Sequence, residues 1–226
     1  MNEKPILFNT EMVSMILSGR KTQTRRVIKP HNPVRAKMDG YKQGRGLWFS
    51  ETRDNTADNW YIKDYTVSPC WISDRNYIKL YAPYKPGDML WVRETFATWS
   101  RTYGSTPRIV YRADVDPGDK IDYEWFPSIH MPRDIARIYL RVKSVRAERV
   151  QEISPEDCVA EGCDADMLSG VGPEFTRGVF NGIWDSTIKK SDIPLYGWDA
   201  NPWVWVVEFE RIKDGGDGDA QPPETA

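Results

Sequence analysis

The sequence predicts an α+β protein built on a mainly antiparallel, barrel-like sheet with a few packed helices, and three observations predict it. Strand-like segments outnumber helical ones. No strand–helix–strand alternation runs through the chain, and the long crossovers that parallel strands need are missing. The 226 residues, 40% apolar and 28% charged with a mean hydropathy of -0.61, suit one domain of above-average size. That composition excludes disordered, collagenous and coiled-coil classes. The longest apolar run, Trp203 to Val207, falls far short of the ~18 residues of a membrane helix. The N-terminal MNEKPILFNT lacks the apolar core and cleavage site of a secretory signal. The expectation is a cytoplasmic chain with no membrane partner, its domain spanning residues 1–212, with an insertion at about 31–86 and a disordered tail at 213–226.

The elements follow in order. Thr10 can cap a helix, Glu11 suits its positive N-terminal dipole, and Met12, Val13, Ile16 and Leu17 form an apolar face that Gly19 ends. The chain then drifts into a β-branched strand closed by Pro30 and Pro33. From His31 to Pro86, scattered glycines and isolated aromatics (Trp48, Trp60, Tyr61, Trp71) read as loops and short strands. Met89–Arg93 and Ile109–Arg112 alternate as strands. A longer run, Ala136 to Val150, places Ile138, Leu140, Val142 and Val145 on one face, with a bulge expected after Val142. Ser154-Pro155-Glu156-Asp157 opens a short helix that Gly162 ends. Phe175, Val179, Phe180, Ile183, Trp184 and Ile188 mark an amphipathic helix, and Trp203–Phe209 a buried strand.

Cys70, Cys158 and Cys163 lack metal or redox spacing and read as free thiols. The net charge of -2 argues against a nucleic-acid coat, yet Ser18 to Gly46 holds nine Lys or Arg against Asp39 alone, a candidate anion-facing surface. Within it, Arg20, Lys21, Arg25 and Arg26 stand with two threonines directly after a helix end. This is either a solvated turn or a place where Lys21 and Thr24, which a regular strand would set on opposite faces, converge. Glu161 sits near the end of the Ser154 helix, where the dipole disfavours a carboxylate by ~0.3–1 kcal/mol. It is either an ordinary surface glutamate or a group placed to engage a lysine.

The motif Gly19-x-Lys21-x-x-Thr24-x-Arg26, between a helix and a strand, resembles the signature loop of the ASCH domain superfamily, whose fold is PUA-like. The usual signature carries Glu where this chain has Thr24. The wording Gly19-Arg20-Lys21-Thr22-x-Thr24 is similar to the small bacterial N(4)-acetylcytidine amidohydrolases, in which a Lys, a Thr and a Glu form the proposed triad. In that family the Glu follows a Leu-Thr or Ile-Ser helix start, and Ile153-Ser154 precedes Glu161 at the matching spacing. Pro86-Gly87-Asp88 with Leu90 to Thr95, Pro127 to Arg133, and Asn201 to Trp205 are similar to shared blocks of longer phage and prophage ASCH proteins.

The resemblance implies a PUA-like barrel and hydrolysis of an N-acylated cytosine nucleoside or related amide, with a modified nucleoside or RNA as partner and no cofactor or metal. Thr24 would attack the amide carbonyl, Lys21 take its proton, and Glu161 orient Lys21 or protonate the leaving amine. Attack by an activated water fits the same residues. Arg26 would stabilise the carboxylate or a developing oxyanion. Trp91 and Glu94 are candidates to stack on a base and bind its edge, although core packing also accounts for Trp91. His130, with Ser128 and Arg133 in a Pro-bounded segment, either faces a ligand or is structural. Competing readings are a module that binds RNA or a modified base without turnover, with ribonuclease activity known in the superfamily, and a phage accessory protein acting through the insertion's aromatics.

Overall fold

The structure is a computed structural model that describes residues 3–28, 48–49, 61–64, 70–73, 82–99, 108–116, 118, 123–164, 170 and 172–212. Trp60, most of the insertion and the expected tail at 213–226 lie outside the described residues. Strand β1 (Glu3–Leu7) leads to α1 (Thr10–Leu17) and β2 (Gln23–Val27). In the insertion, β3 (Trp48–Phe49), β4 (Tyr61–Asp64) and β5 (Cys70–Ser73) pair antiparallel as a small sheet. There follow β6 (Met89–Arg93), the hairpin partners β7 (Phe96–Trp99) and β8 (Arg108–Tyr111), and the long β9 (Tyr139–Arg149). Helices α2 (Pro155–Ala160), α3 (Pro173–Thr187) and α4 (Ile193–Tyr196) precede the last strand, β10 (Trp203–Ile212). Among the described residues no helix is long and apolar enough to cross a membrane.

The main sheet has the order β1-β6-β9-β10-β2 and is antiparallel except at one edge. That edge corrects the expectation of no parallel crossover: β1 runs parallel to β6, with α1, β2 and the insertion inside the connection. The strand was hidden because Pro5 interrupts its pattern and the return is far away in sequence. The two outermost strands, β1 and β2, are not paired with each other among the described residues. Yet Arg26 Nη2 on β2 donates to the Leu7 carbonyl at the end of β1 at 2.5 Å, so the sheet curls until its edges approach.

Each face of this sheet carries its own core. On one, Val13 and Ile16 of α1 meet Ile6, Phe8, Leu90, Val92, Leu140, Val142, Trp205, Val207 and Phe209. On the other, Cys158 of α2 and Phe180 and Trp184 of α3 cover Val150, Val204 and Val206. Burying one such aliphatic side chain stabilises the fold by ~1.5–3 kcal/mol. The expected bulge falls where the alternation breaks: Glu208 faces Ser144 but Phe209 faces Val142, so Lys143 is the extra residue of β9. Helix α1 differs slightly from expectation in its cap. Asn9 is still extended and its side chain accepts from Met12 N at 2.8 Å, so it caps the helix and Thr10 lies inside.

Candidate active site

Two helix ends meet at β2, an outermost strand of the main sheet. Helix α1 closes in a Schellman turn: Gly19, at φ 77°, bonds back to Ile16 O, and Arg20 N bonds to Met15 O at 2.9 Å. Helix α2 closes the same way, with Gly162 at φ 105° bonding to Val159 O and Cys163 N to Cys158 O at 3.0 Å. The two turns are fastened together by Thr22 N, which donates to Ala160 O at 2.9 Å. They are also packed so closely that a Cβ added at Gly162 would overlap Met15 Sδ. One turn delivers Lys21 to the start of β2; the other presents Glu161 as the C-cap of α2.

The consequence is a contact between residues 140 apart in sequence. Lys21 Nζ donates to Glu161 Oε2 at 2.6 Å and to the Glu161 carbonyl at 2.8 Å. The Lys21 side chain is 0% exposed and that of Glu161 6%. Burial pushes the Lys21 ammonium below its usual range, Glu161 opposes that, and Arg26 and Arg25 add to the lowering. The other carboxylate oxygen, Glu161 Oε1, accepts from Arg25 Nη1 at 3.1 Å. Arg25 is itself held by Glu148 at 2.5 Å and Asp157 at 2.8 Å, and its guanidinium lies 5.7 Å from the Phe180 ring centre. Glu161 thus stands astride the sheet edge, with one oxygen toward each face.

Alternation along β2 sends Arg25 to the α3 side and Thr24 and Arg26 to the α1 side, opposite Val207 and Trp205. Phe8 forms the floor there: Arg26 lies 5.2 Å and Lys21 Nζ 6.0 Å from its ring centre. Thr24 is buried, and no hydrogen bond occupies its hydroxyl among the described residues. Tyr84 borders Arg26. Its hydroxyl donates to the Pro5 carbonyl at 3.1 Å, and burial raises its phenol above the usual range while Arg26 opposes. Among the described residues Arg26 has no carboxylate within ion-pair distance, unlike Arg25, Arg137 and Arg146.

The other predicted site residues fall elsewhere. Glu94 is buried at 1% exposure, but both its oxygens are taken by Arg137, at 2.9 Å each, so its environment is that of a structural ion pair. Trp91 lies half-buried on the sheet face opposite Leu90 and Val92, with Arg93 5.6 Å from its ring centre. Ser128 and His130 lie in a single 3-10 turn, with His130 exposed. Arg133, also exposed, pairs with Glu3. Lys21, Arg26 and Glu161 are brought within electrostatic reach of one another, with Thr24 buried on the same side of β2 as Arg26; among the described residues no hydrogen bond or ion pair joins the second group to them.

Phe8, Tyr84, Arg25, Glu148 and Asp157 were not foreseen. The doublet Arg25-Arg26 carried a signal, since consecutive strand residues must face opposite ways and each buried arginine then needs its own partner. Nothing local marked Phe8 or Tyr84, whose roles depend on the curl of the sheet. Among the described residues no three His, Cys, Asp or Glu side chains converge as a metal site requires. No family model, no curated protein and no solved structure matches this chain.

Proposed function

We propose that the chain is an ASCH-type amidohydrolase with a PUA-like barrel, acting on an N-acylated cytosine nucleoside or a related amide. The observation that carries the reading is the buried Lys21–Glu161 contact at 2.6 Å, formed between two segments singled out independently for that chemistry. A lysine whose ammonium is disfavoured by burial is suited to accept a proton. Glu161 holds the amine in place and takes or returns the proton as Lys21 cycles. Thr24, buried and without a competing hydrogen bond among the described residues, supplies the hydroxyl that adds to the amide carbonyl. Arg26, lacking a carboxylate partner there, stabilises the oxyanion, and Phe8 shields the Lys21 side of the site from water. Breakdown of the tetrahedral adduct expels the amine of cytidine, which leaves with the proton held by the Lys21–Glu161 pair. Water then releases the acyl group from Thr24.

The test is the ultraviolet absorbance of N(4)-acetylcytidine with the purified chain, because deacetylation changes the chromophore. Turnover that disappears in Lys21→Ala, with circular dichroism unchanged, supports the reading. Turnover retained in a folded Lys21→Ala sinks the triad. Absence of turnover in the wild type, together with salt-dependent oligonucleotide binding, would replace hydrolysis with recognition of RNA or a modified base.

A further inference from the structure

The Schellman turn that carries Glu161 has a cysteine at each of the two positions whose side chains meet. In this motif the third residue from the helix end and the second residue beyond the cap make a side-chain contact alongside the six-to-one hydrogen bond. Here those positions are Cys158 and Cys163, and the bond between them, Cys163 N to Cys158 O, is 3.0 Å. Both thiols are free and buried, at 0% and 3% exposure, in the same apolar cluster beneath α3. The backbone bond draws the two residues together and their thiols hydrogen-bond to each other, the proximity that a disulfide requires.

We propose that Cys158 and Cys163 form an oxidisable dithiol that closes to an intramolecular disulfide across the α2 turn, with hydrogen peroxide as the oxidant. Cys163 sulfur attacks the peroxide O–O bond, becoming a sulfenic acid as one oxygen leaves as water. Cys158 sulfur then displaces the second oxygen, also as water, forming the S–S bond. Two thiols are oxidised and one peroxide is reduced to two waters. The order of events follows from the surroundings. Cys163 is the more accessible of the two, at 3% exposure against 0%, and the hydrogen bond from Cys158 together with Lys21 favours its thiolate while burial and Glu161 oppose it. Because Glu161 lies inside the ring so formed, the bridge would pin the turn that holds its carboxylate against Lys21. The chemistry itself stands whatever the neighbouring site acts on.

The experiment uses the full chain carrying Cys70→Ser, so that Cys158 and Cys163 are its only thiols. Folded protein is exposed to hydrogen peroxide, quenched in acid, unfolded and alkylated, and its intact mass is read. Both thiols should be lost together with a mass decrease of two hydrogens, and dithiothreitol should restore both. With Cys158→Ser added, the reaction should stop at a dimedone-reactive sulfenic acid on Cys163; with Cys163→Ser added, Cys158 should keep its thiol under the same exposure. Two thiols still alkylated after peroxide, a disulfide between chains, or Cys163 advancing to sulfinic acid beside an intact Cys158 thiol would each overturn the proposal. If Cys70→Ser does not fold, peptide mapping of the oxidised wild type reads the same linkage.

Discussion

Replacing Glu161 by glutamine isolates the energetics of the buried pair. Removing one partner of a buried ion pair costs ~3–5 kcal/mol. The low end, about 3 kcal/mol, applies here because the glutamine oxygen and the main-chain carbonyl 2.8 Å away still accept from Lys21. Arg25 is insulated from the change, since Glu148 and Asp157 remain bonded to it. The pH dependence has a definite sign. Burial lowers Lys21 in the folded state and Glu161 alone among its neighbours raises it, so the substitution drives the folded value further below the unfolded one. Between those two values the unfolded chain binds the extra proton, and stability therefore rises with pH. The slope reaches ~1.4 kcal/mol per pH unit and ends near the unfolded lysine value of ~10.4. Lys21→Met behaves differently: Glu161 keeps Arg25 at 3.1 Å, so the loss is only about 1 kcal/mol, and the lysine-dependent slope vanishes. Urea melts of wild type, both single variants and the double variant from pH 6 to 10 measure all of this. A Glu161→Gln stability that is flat or falls with pH relative to the double variant would refute it. So would a Lys21→Met loss as large as that of Glu161→Gln.

Further predictions concern the scaffold. Arg137→Met strands the buried Glu94 carboxylate and should cost about 3 kcal/mol or more, read as a lower urea midpoint with unchanged m. Gly162→Ala combines a left-handed residue with overlap on Met15 and should cost about 3 kcal/mol by thermal melting, while Gly19→Ala, with open space around its Cβ, should cost roughly 1 kcal/mol. Asn9→Ala removes the bond to Met12 N and should lower stability by ~1 kcal/mol, whereas Thr10→Ala should cost less.

Much of this organisation was legible because it is local. The cap, proline and acids of α2, the glycine that ends α1, the alternation of β6 and β9, and the continuous apolar run of β10 each declare themselves within a few residues. The Lys21–Glu161 meeting was legible for another reason: a carboxylate at the wrong end of a helix dipole required a cation, and the loop after α1 was rich in them. What stayed hidden depends on distant geometry. β1 declares itself only through its parallel partner β6, and Tyr84 and Phe8 join the site only because the sheet bends far enough for Arg26 to reach Leu7. Glu94 misled for the same reason, since the sequence offers no sign that Arg137 claims both of its oxygens.

The extra residue in β9 sets the bookkeeping of side-chain parity for the whole upper half of that strand. Val145 and Ala147 keep company with the α1 core, so Arg146 and Glu148 must emerge on the side of α2 and α3. There Glu148 receives Arg25, and Arg146 ties Glu148 to Asp157. Deleting Lys143 would transpose these residues, turning two charged side chains into the hydrocarbon of the first core and leaving Arg25 facing alanine and valine. The position of Glu161 at the sheet edge is thus conditional on an odd-numbered step in a strand to which it is not bonded, and a length change there would propagate to Lys21 without altering any residue of the site.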